Sequence, residues 1–174
     1  MTRILFCSVL TLGLVAMSYP AQDVKKDAKK DDKKVEKKGE KKPAVPPIPP
    51  THANVSYGKH ERNVMDVWLA KSDKPTPVVV CIHGGGWNGG DKSGYYGRAK
   101  IFLDAGISMV TINYRLMKQA NEEKVVPPVK APLEDAARAV QFVRSKAAEW
   151  NIDKKRIGAT GGSAGGASSL WLAF

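Results

Sequence analysis

The sequence predicts an α/β fold with a mostly parallel sheet and crossover helices, in a domain that spans 51–174. From residue 78 onward, predicted strands and helices alternate, and each strand is followed by a helix. The clearest strand is 78–82, a continuous apolar and β-branched run that is typical of a strand buried on both faces. The clearest helix is 133–150, where apolar residues recur at three- and four-residue steps. Strands joined through helices in this way lie parallel in one sheet.

The other predicted elements are an initial pair of strands and the remaining members of this alternation. We expect strands over 55–57, 64–69, 107–114 and 156–160, and helices over 98–105 and 164–174. Gly106 closes the helix at 98–105, and a Pro-broken loop covers 125–132. Glu134 and Asp135 are expected in the first turn of the long helix, where its dipole favours negative charge.

The composition excludes several classes of protein. The chain has 28 Lys and Arg against 17 Asp and Glu among its 174 residues, and 43% of its residues are hydrophobic, which excludes general disorder after the tail. Two Cys exclude a disulfide-rich scaffold, and three His without a close grouping predict no metal site. No motif indicates a cofactor.

Residues 1–21 have the pattern of a signal peptide. A short positive segment containing Arg3 precedes an apolar run over 4–17, and small residues then favour cleavage after Ser18. The apolar run has 14 residues, fewer than the roughly 20 that span a bilayer. Cys7 lies inside this run, so a lipid anchor is not expected. We therefore predict export to the periplasm or medium, with Cys81 as the one remaining thiol.

Residues 22–50 are predicted to be a disordered linker rich in Lys and then Pro. Ten Lys and six acidic residues fill 23–42, with almost no apolar side chain to bury. The mixed charge favours a solvated spacer, and the alternative is a basic arm that contacts the anionic cell envelope. Five Pro between 43 and 50 then indicate a stiff, extended stalk.

A glycine-rich turn at 161–165 matches the pattern G-x-S-x-G and lies between a predicted strand and a predicted helix. Such a turn lifts the Ser163 hydroxyl into the open at the carboxyl end of the strand. Small residues are required two positions before and after this serine, because the turn brings the two backbones together. A flexible or phosphate-holding loop is the alternative, but the lysine that a P-loop requires is absent.

A second glycine-rich turn, His-Gly-Gly-Gly at 83–86, follows the buried strand directly. Consecutive glycines free the backbone to aim N–H groups at one point, where such donors stabilise the oxyanion formed in acyl transfer. Alone, this turn is equally a glycine-rich surface loop. The two motifs together predict a serine hydrolase site.

At this point the sequence resembles a family, the α/β-hydrolase esterases, over residues 57–174. The motifs that carry the resemblance are HGGGW at 83–87, NYRL at 113–116, DAAR at 135–138, NID at 151–153, RI at 156–157 and GGSAGG at 161–166. The chain is most similar to the hormone-sensitive-lipase-like carboxylesterases and to the feruloyl and acetyl-xylan esterases. The resemblance implies the amino-terminal part of an α/β-hydrolase fold.

The resemblance also implies catalytic roles for individual residues. Ser163 would be the nucleophile, and the N–H groups of Gly85, Gly86 and Ala164 would form the oxyanion hole. His83 in such proteins supports the glycine-rich loop and is not the catalytic base.

The resemblance implies other roles for three further residues of these motifs. Tyr114 and Arg115 look structural, and Trp87 is expected to shape the pocket for the acyl or leaving group.

The sequence departs from the family pattern after Ser163. A serine nucleophile requires a base and an acid that orients the base, and in this fold both follow the serine along the chain. Residues 164–174 contain neither an acid nor a His. The chain is therefore expected to be the amino-terminal fragment of a longer enzyme, without triad-dependent activity by itself.

The expected function is that of an exported serine carboxylic-ester hydrolase acting on short-chain or polysaccharide-linked esters. One alternative is an arylformamidase-like amidase, and another is a non-catalytic, degenerate hydrolase-fold protein that binds through its basic arm. Specific nucleic-acid binding is not expected, because the domain lacks aromatic residues interleaved with basic ones. The acyl group, the alcohol and the oligomeric state stay open.

Overall fold

A computed structural model describes residues 48–174. The predicted signal peptide over 1–21 and the predicted linker up to residue 47 lie outside the described residues. The described part is a five-stranded sheet with helices on both faces, which confirms the predicted α/β class. The elements are β1 His52–Ser56, β2 Val64–Trp68, β3 Thr76–Ile82, a 3₁₀ helix Lys92–Arg98, α1 Ala99–Asp104, β4 Ser108–Ile112, α2 Met117–Glu122, α3 Lys130–Ser145, β5 Ile152–Gly161 and α4 Ala164–Trp171.

The strand order is β1-β2-β4-β3-β5, with β4, β3 and β5 parallel. β1 and β2 pair antiparallel, because the short segment between them allows only a hairpin. β2 also runs antiparallel to β4. Ile82 at the end of β3 pairs with Ile112 on one side and Gly161 on the other, so the three parallel strands end at one edge of the sheet.

Apolar side chains cover both faces of the sheet, as the continuous apolar character of β3 predicts. The larger cluster packs α3 against one face, and it includes Met65, Val67, Val78, Val80, Ile82, Val110, Ile112, Ala136, Ala139 and Val143. The smaller cluster packs α1 and the 3₁₀ helix against the other face through Trp68, Cys81, Ala99, Met109, Tyr96 and Phe102. Burial raises the pKa of the Cys81 thiol to about 12, so this free cysteine is not a nucleophile near neutral pH.

The boundaries of α3 differ from the prediction. The helix begins at Lys130, so Pro132 lies in its first turn, where a missing N–H costs no hydrogen bond. The predicted loop over 125–132 is therefore wrong in its last three residues, which belong to α3. Glu134 and Asp135 consequently lie in the second turn of α3 rather than the first, and the Asp135 carboxylate pairs with Arg115.

The remaining elements agree with the prediction within a few residues, with one omission. The predicted helix at 98–105 is a 3₁₀ helix that leads into α1, and Gly106 follows it at φ +70°. The short helix α2 was not predicted. No helix between residues 48 and 174 is both long enough and apolar enough to cross a bilayer.

Candidate active site

Ser163 occupies a sharp turn between β5 and α4, with φ +52° and ψ −122°. A residue with a Cβ rarely adopts this conformation, and holding it there costs on the order of 1–3 kcal/mol. The turn leaves Ser163 exposed at the edge where the parallel strands end. The strand–turn–helix setting predicted for the G-x-S-x-G pattern is confirmed, and it presents the hydroxyl to the solvent.

The glycine two residues after Ser163 permits the close approach of α4 to β3. A Cβ built on Gly165 would lie 2.0 Å from the carbonyl oxygen of Ile82, well inside van der Waals contact. Only glycine fits there, because the obstacle is backbone rather than a movable side chain. The G-x-S-x-G pattern therefore requires glycine at position 165 because the backbones of α4 and β3 come into contact there.

The glycine-rich loop after β3 lies against this turn. Gly85 has φ +102°, and a Cβ at this position would lie 2.3 Å from the carbonyl oxygen of Gly89, so the loop doubles back on itself. A Cβ at Gly84 would lie 3.5 Å from the Cβ of Ser163. The structure thus brings the two sequence motifs together at the ends of β3 and β5.

The proposed oxyanion donors stand on both sides of Ser163. Gly85 and Gly86 are exposed in the loop, and Gly86 has φ +60°. Ala164 is the first residue of α4, where helical N–H groups have no partner within the helix. The positive end of the α4 dipole also lies there, and it favours a developing negative charge.

His83 and Tyr114 support the base of the loop. Their rings stack with centroids 4.2 Å apart, and the Tyr114 hydroxyl donates to the His83 carbonyl oxygen at 2.7 Å. The Nδ1 of His83 lies 2.8 Å from the carbonyl oxygen of Gly84. Burial lowers the pKa of His83 below its ordinary value, so the ring stays neutral and packs as part of the scaffold.

The other two histidines also have contacts remote from Ser163. His52 stacks on Trp150 with centroids 5.6 Å apart, and the Nε2 of His60 lies 3.8 Å from a carboxylate oxygen of Glu123. Within residues 48–174, no histidine is hydrogen-bonded to the Ser163 hydroxyl, and no group of three or more His, Cys, Asp or Glu could hold a metal ion. The described residues therefore place all three histidines in contacts that do not include the Ser163 hydroxyl.

An ion pair fixes the chain where it leaves β4. Arg115 donates from Nε to Asp135 Oδ2 at 2.9 Å and from a terminal nitrogen to Asp135 Oδ1 at 2.7 Å. Burial alone would raise the pKa of Asp135, but the hydrogen bonds from the Arg115 side chain and backbone outweigh it and lower the pKa. The contacts of Arg115 are therefore structural, because they attach α3 to the segment that follows β4.

Sequence reasoning did not find two features near the site. Ser168, on α4, accepts a hydrogen bond from the Trp87 indole at 3.1 Å. Lys92, in the 3₁₀ helix, forms a buried ion pair with Asp66 of β2. Ser168 lies four residues after Ala164, so the helical period puts both on one buried face of α4, but this spacing does not indicate the contact with Trp87. The pairing of Lys92 across 26 residues left no signal in one sequence.

The fold is a mixed, mostly parallel sheet with a strained serine between strand and helix and a glycine loop against that serine. These features define an α/β-hydrolase. The match to a family model agrees, and it extends over residues 65–174. The chain belongs to the BD-FAE family of α/β-hydrolase esterases.

Similar proteins and structures are esterases. The chain is 31% identical over 118 residues to a probable isoprenylcysteine alpha-carbonyl methylesterase of Arabidopsis thaliana, which covers 67% of this chain and 23% of that protein. It is 36% identical over 99 residues to the carboxylesterase NlhH of Mycobacterium tuberculosis, covering 56% of this chain and 28% of the other.

Two solved structures share the fold. A truncated carbohydrate esterase from gut microbiota superposes with a TM-score of 0.62 at 29% identity, over 75% of this chain and 45% of that one. An esterase of Thermogutta terrifontis, solved with propionate bound, superposes with a TM-score of 0.58 at 27% identity, over 66% of this chain and 42% of that one. The chain spans about a quarter of the length of these curated relatives and less than half of the solved structures.

Proposed function

We propose that the protein is an exported serine carboxylic-ester hydrolase that works through an acyl-enzyme. The observation that carries the proposal is the strained, exposed Ser163 with the glycine loop of β3 packed against it. Esterase relatives and the family assignment support the reaction class.

In the proposed reaction, Ser163 Oγ attacks the carbonyl carbon of the ester, and its proton passes to a general base. The N–H groups of Gly85, Gly86 and Ala164 then stabilise the oxyanion of the tetrahedral intermediate. Collapse of the intermediate expels the alcohol and leaves the acyl group on Ser163. Water releases the acid by the same steps in a second half-reaction.

The base and its orienting acid are proposed to come from sequence beyond residue 174 in a longer protein. The three histidines in the chain make other contacts, and the matched region is only 23% of the length of the Arabidopsis relative. Reading the coding DNA past codon 174 tests this point. An open frame with an acid followed by a His supports the proposal, and an immediate stop codon favours the non-catalytic, degenerate alternative.

The nucleophile is tested with the Ser163→Ala variant of the full-length gene product and a short chromogenic ester. The expected loss in kcat is about 10⁴-fold or more. Ser145→Ala is the matched control, because Ser145 is an exposed serine of α3 whose hydroxyl donates to its own helix. Unchanged hydrolysis by Ser163→Ala, with both variants folded, would overturn the assignment.

The substrate is proposed to be an ester of a short acid or of a polysaccharide. Two similar structures, a carbohydrate esterase and an esterase with propionate bound, support these two classes. A panel of short-chain esters, acylated polysaccharide and N-formyl anilides separates them from the amidase alternative. Faster turnover of the anilide than of every ester would favour the arylformamidase-like function.

Export is proposed from the signal-peptide pattern of residues 1–21. Amino-terminal sequencing of the mature protein tests it, with Tyr19 expected as the first residue after cleavage following Ser18. A mature protein that still begins at Met1 would contradict export by this route.

A further inference from the structure

Ser168 is a buried hydroxyl that joins the two sides of the candidate site. It lies in α4, five residues after Ser163, and is 1% exposed. Its Oγ donates to the carbonyl oxygen of Ala164 at 3.0 Å and accepts from Nε1–H of Trp87 at 3.1 Å. One hydroxyl thus contacts the first residue of the helix that follows the nucleophile and the residue that ends the glycine loop.

Trp87 is held at three points. Its backbone has φ +56°, which is unusual for a residue with a side chain, and its carbonyl oxygen accepts from the N–H of Met117 at 2.7 Å. Its indole packs against the larger apolar cluster and donates to Ser168. Gly85 and Gly86 directly precede Trp87, so the segment that carries their N–H groups ends at this held residue.

These contacts bear on catalysis because oxyanion donors act only when held in place. Gly85 and Gly86 have no side chains, and both are exposed, so their neighbours must fix the loop. Ala164 is fixed by α4, whose first turn carries the hydrogen bond from Ser168. A donor that drifts by a fraction of an ångström loses much of its effect on the transition state while still binding the substrate.

We propose that Ser168 is a positioning residue for the oxyanion hole, acting by tying Trp87 of the glycine loop to the first turn of α4. This inference rests on the proposed hydrolase function. It assigns one shared role to Ser168 and Trp87. They hold the N–H groups of Gly85 and Gly86 in a fixed position relative to the N–H group of Ala164.

The test measures ester hydrolysis by the full-length protein carrying Ser168→Ala, Trp87→Phe or both substitutions. Active-site titration with a phosphonate ester normalises each rate to the folded, reactive fraction. We expect kcat to fall ten- to a hundred-fold in each single variant, with KM changed less than three-fold. The double variant should be no slower than the slower single variant, because both remove the same hydrogen bond.

Ser169→Ala is the matched control. Ser169 is the next residue of α4, and its hydroxyl donates to the carbonyl oxygen of Gly165 at 2.8 Å in the same manner that Ser168 donates to Ala164. Its hydroxyl makes no hydrogen bond with Trp87, so its kcat should stay within two-fold of the parent. A second readout needs no catalysis: the Trp87 indole N–H should exchange with solvent faster in Ser168→Ala than in Ser169→Ala.

The outcomes separate this inference from the proposed function. If Ser163→Ala retains activity, the serine mechanism itself fails. If Ser163→Ala is inactive but the titrated kcat of Ser168→Ala equals that of Ser169→Ala, the hydrolase stands and the role of Ser168 is overturned. Additive losses in the double variant would likewise overturn a shared role for Ser168 and Trp87.

Discussion

Around the turn at Ser163, single residues are fixed by backbone contacts rather than by side-chain chemistry. Gly165 faces the Ile82 carbonyl oxygen at a distance that admits hydrogen but no methyl group. By contrast, Gly166 next to it has its nearest obstacle, the Gly161 carbonyl oxygen, 3.1 Å from a hypothetical Cβ. Adjacent glycines in one motif therefore differ in how strictly the fold requires them.

The Gly165→Ala substitution is expected to destabilise the protein by at least about 3 kcal/mol, because overpacking against backbone forces α4 away from β3. The free energy of unfolding in urea measures this change. Gly158→Ala is the control, since nothing lies within 4 Å of a Cβ there, and its cost should stay below about 1 kcal/mol. Equal costs for the two variants would contradict the close approach.

At the scale of elements, the 3₁₀ helix is attached to the sheet by a buried ion pair. Lys92 and Asp66 have side chains 8% and 2% exposed, and Tyr96 also donates to the Asp66 carboxylate. Asn113 at the end of β4 accepts from the Lys92 backbone at 2.7 Å and donates to Asp91 at 2.8 Å. Asn113, the first residue of the NYRL motif, thus holds the start of the 3₁₀ helix that follows the glycine loop.

Replacing Lys92 with Met is expected to cost about 3 kcal/mol of unfolding free energy, because the Asp66 charge stays buried without its cation. The double variant with Asp66→Asn should cost less than the sum of the single changes, because the neutral amide removes the buried charge that Lys92→Met alone leaves unpaired. Urea denaturation of all three variants measures the coupling. Lys100→Met is the control, because its pair with Asp104 is solvent-exposed and contributes less than about 1 kcal/mol.

Sequence patterns predicted the elements that have long apolar runs. They failed where tertiary contacts determine whether an element forms and where it begins. β3 was predictable because five consecutive apolar residues are typical of a strand that is buried on both faces of a sheet. α2 has six residues and one buried side chain, Ala120, so it left no periodic signal. The sequence predicts too late a start for α3 because Pro132 is typical of a helix breaker, although the first turn of a helix tolerates it.

The candidate site was predictable in part, and for a physical reason. Ser163 and the loop glycines lie in contiguous motifs, so their spacing along the chain reflects their geometry. Ser168 and Trp87 are 81 residues apart and meet only after the sheet forms. A single sequence carries no signal for such a contact.

At the scale of the molecule, a buried carboxylate couples the fold to pH. The side chain of Asp135 is fully buried, and its pKa is lowered in the folded protein, chiefly because its hydrogen bonds with Arg115 outweigh burial. A depressed carboxyl pKa contributes stability that is complete above the unfolded value, about 4, and is lost as the pH falls through the folded value. Acid should therefore loosen the attachment of α3 to β4.

We expect the unfolding free energy of the protein to decline below about pH 4 more steeply than that of Asp135→Asn. At pH 7 the substitution should cost about 3 kcal/mol, since it removes the carboxylate partner of a largely buried guanidinium. Denaturation series from pH 7 to pH 3 measure both effects. Asp104→Asn, at an exposed pair, serves as the control and should change stability by less than about 1 kcal/mol. Parallel curves for the parent and Asp135→Asn would contradict the coupling.

The backbone of Ser163 has a consequence for heat resistance. Ser163→Gly and Ser163→Ala both delete the hydroxyl, but only glycine relaxes at φ +52°, so the glycine variant should melt a few degrees above the alanine variant. Calorimetry of the two proteins would give the cost of the turn directly. Relaxing the backbone at position 163 would then raise thermal stability, but it would remove the serine on which the proposed chemistry depends.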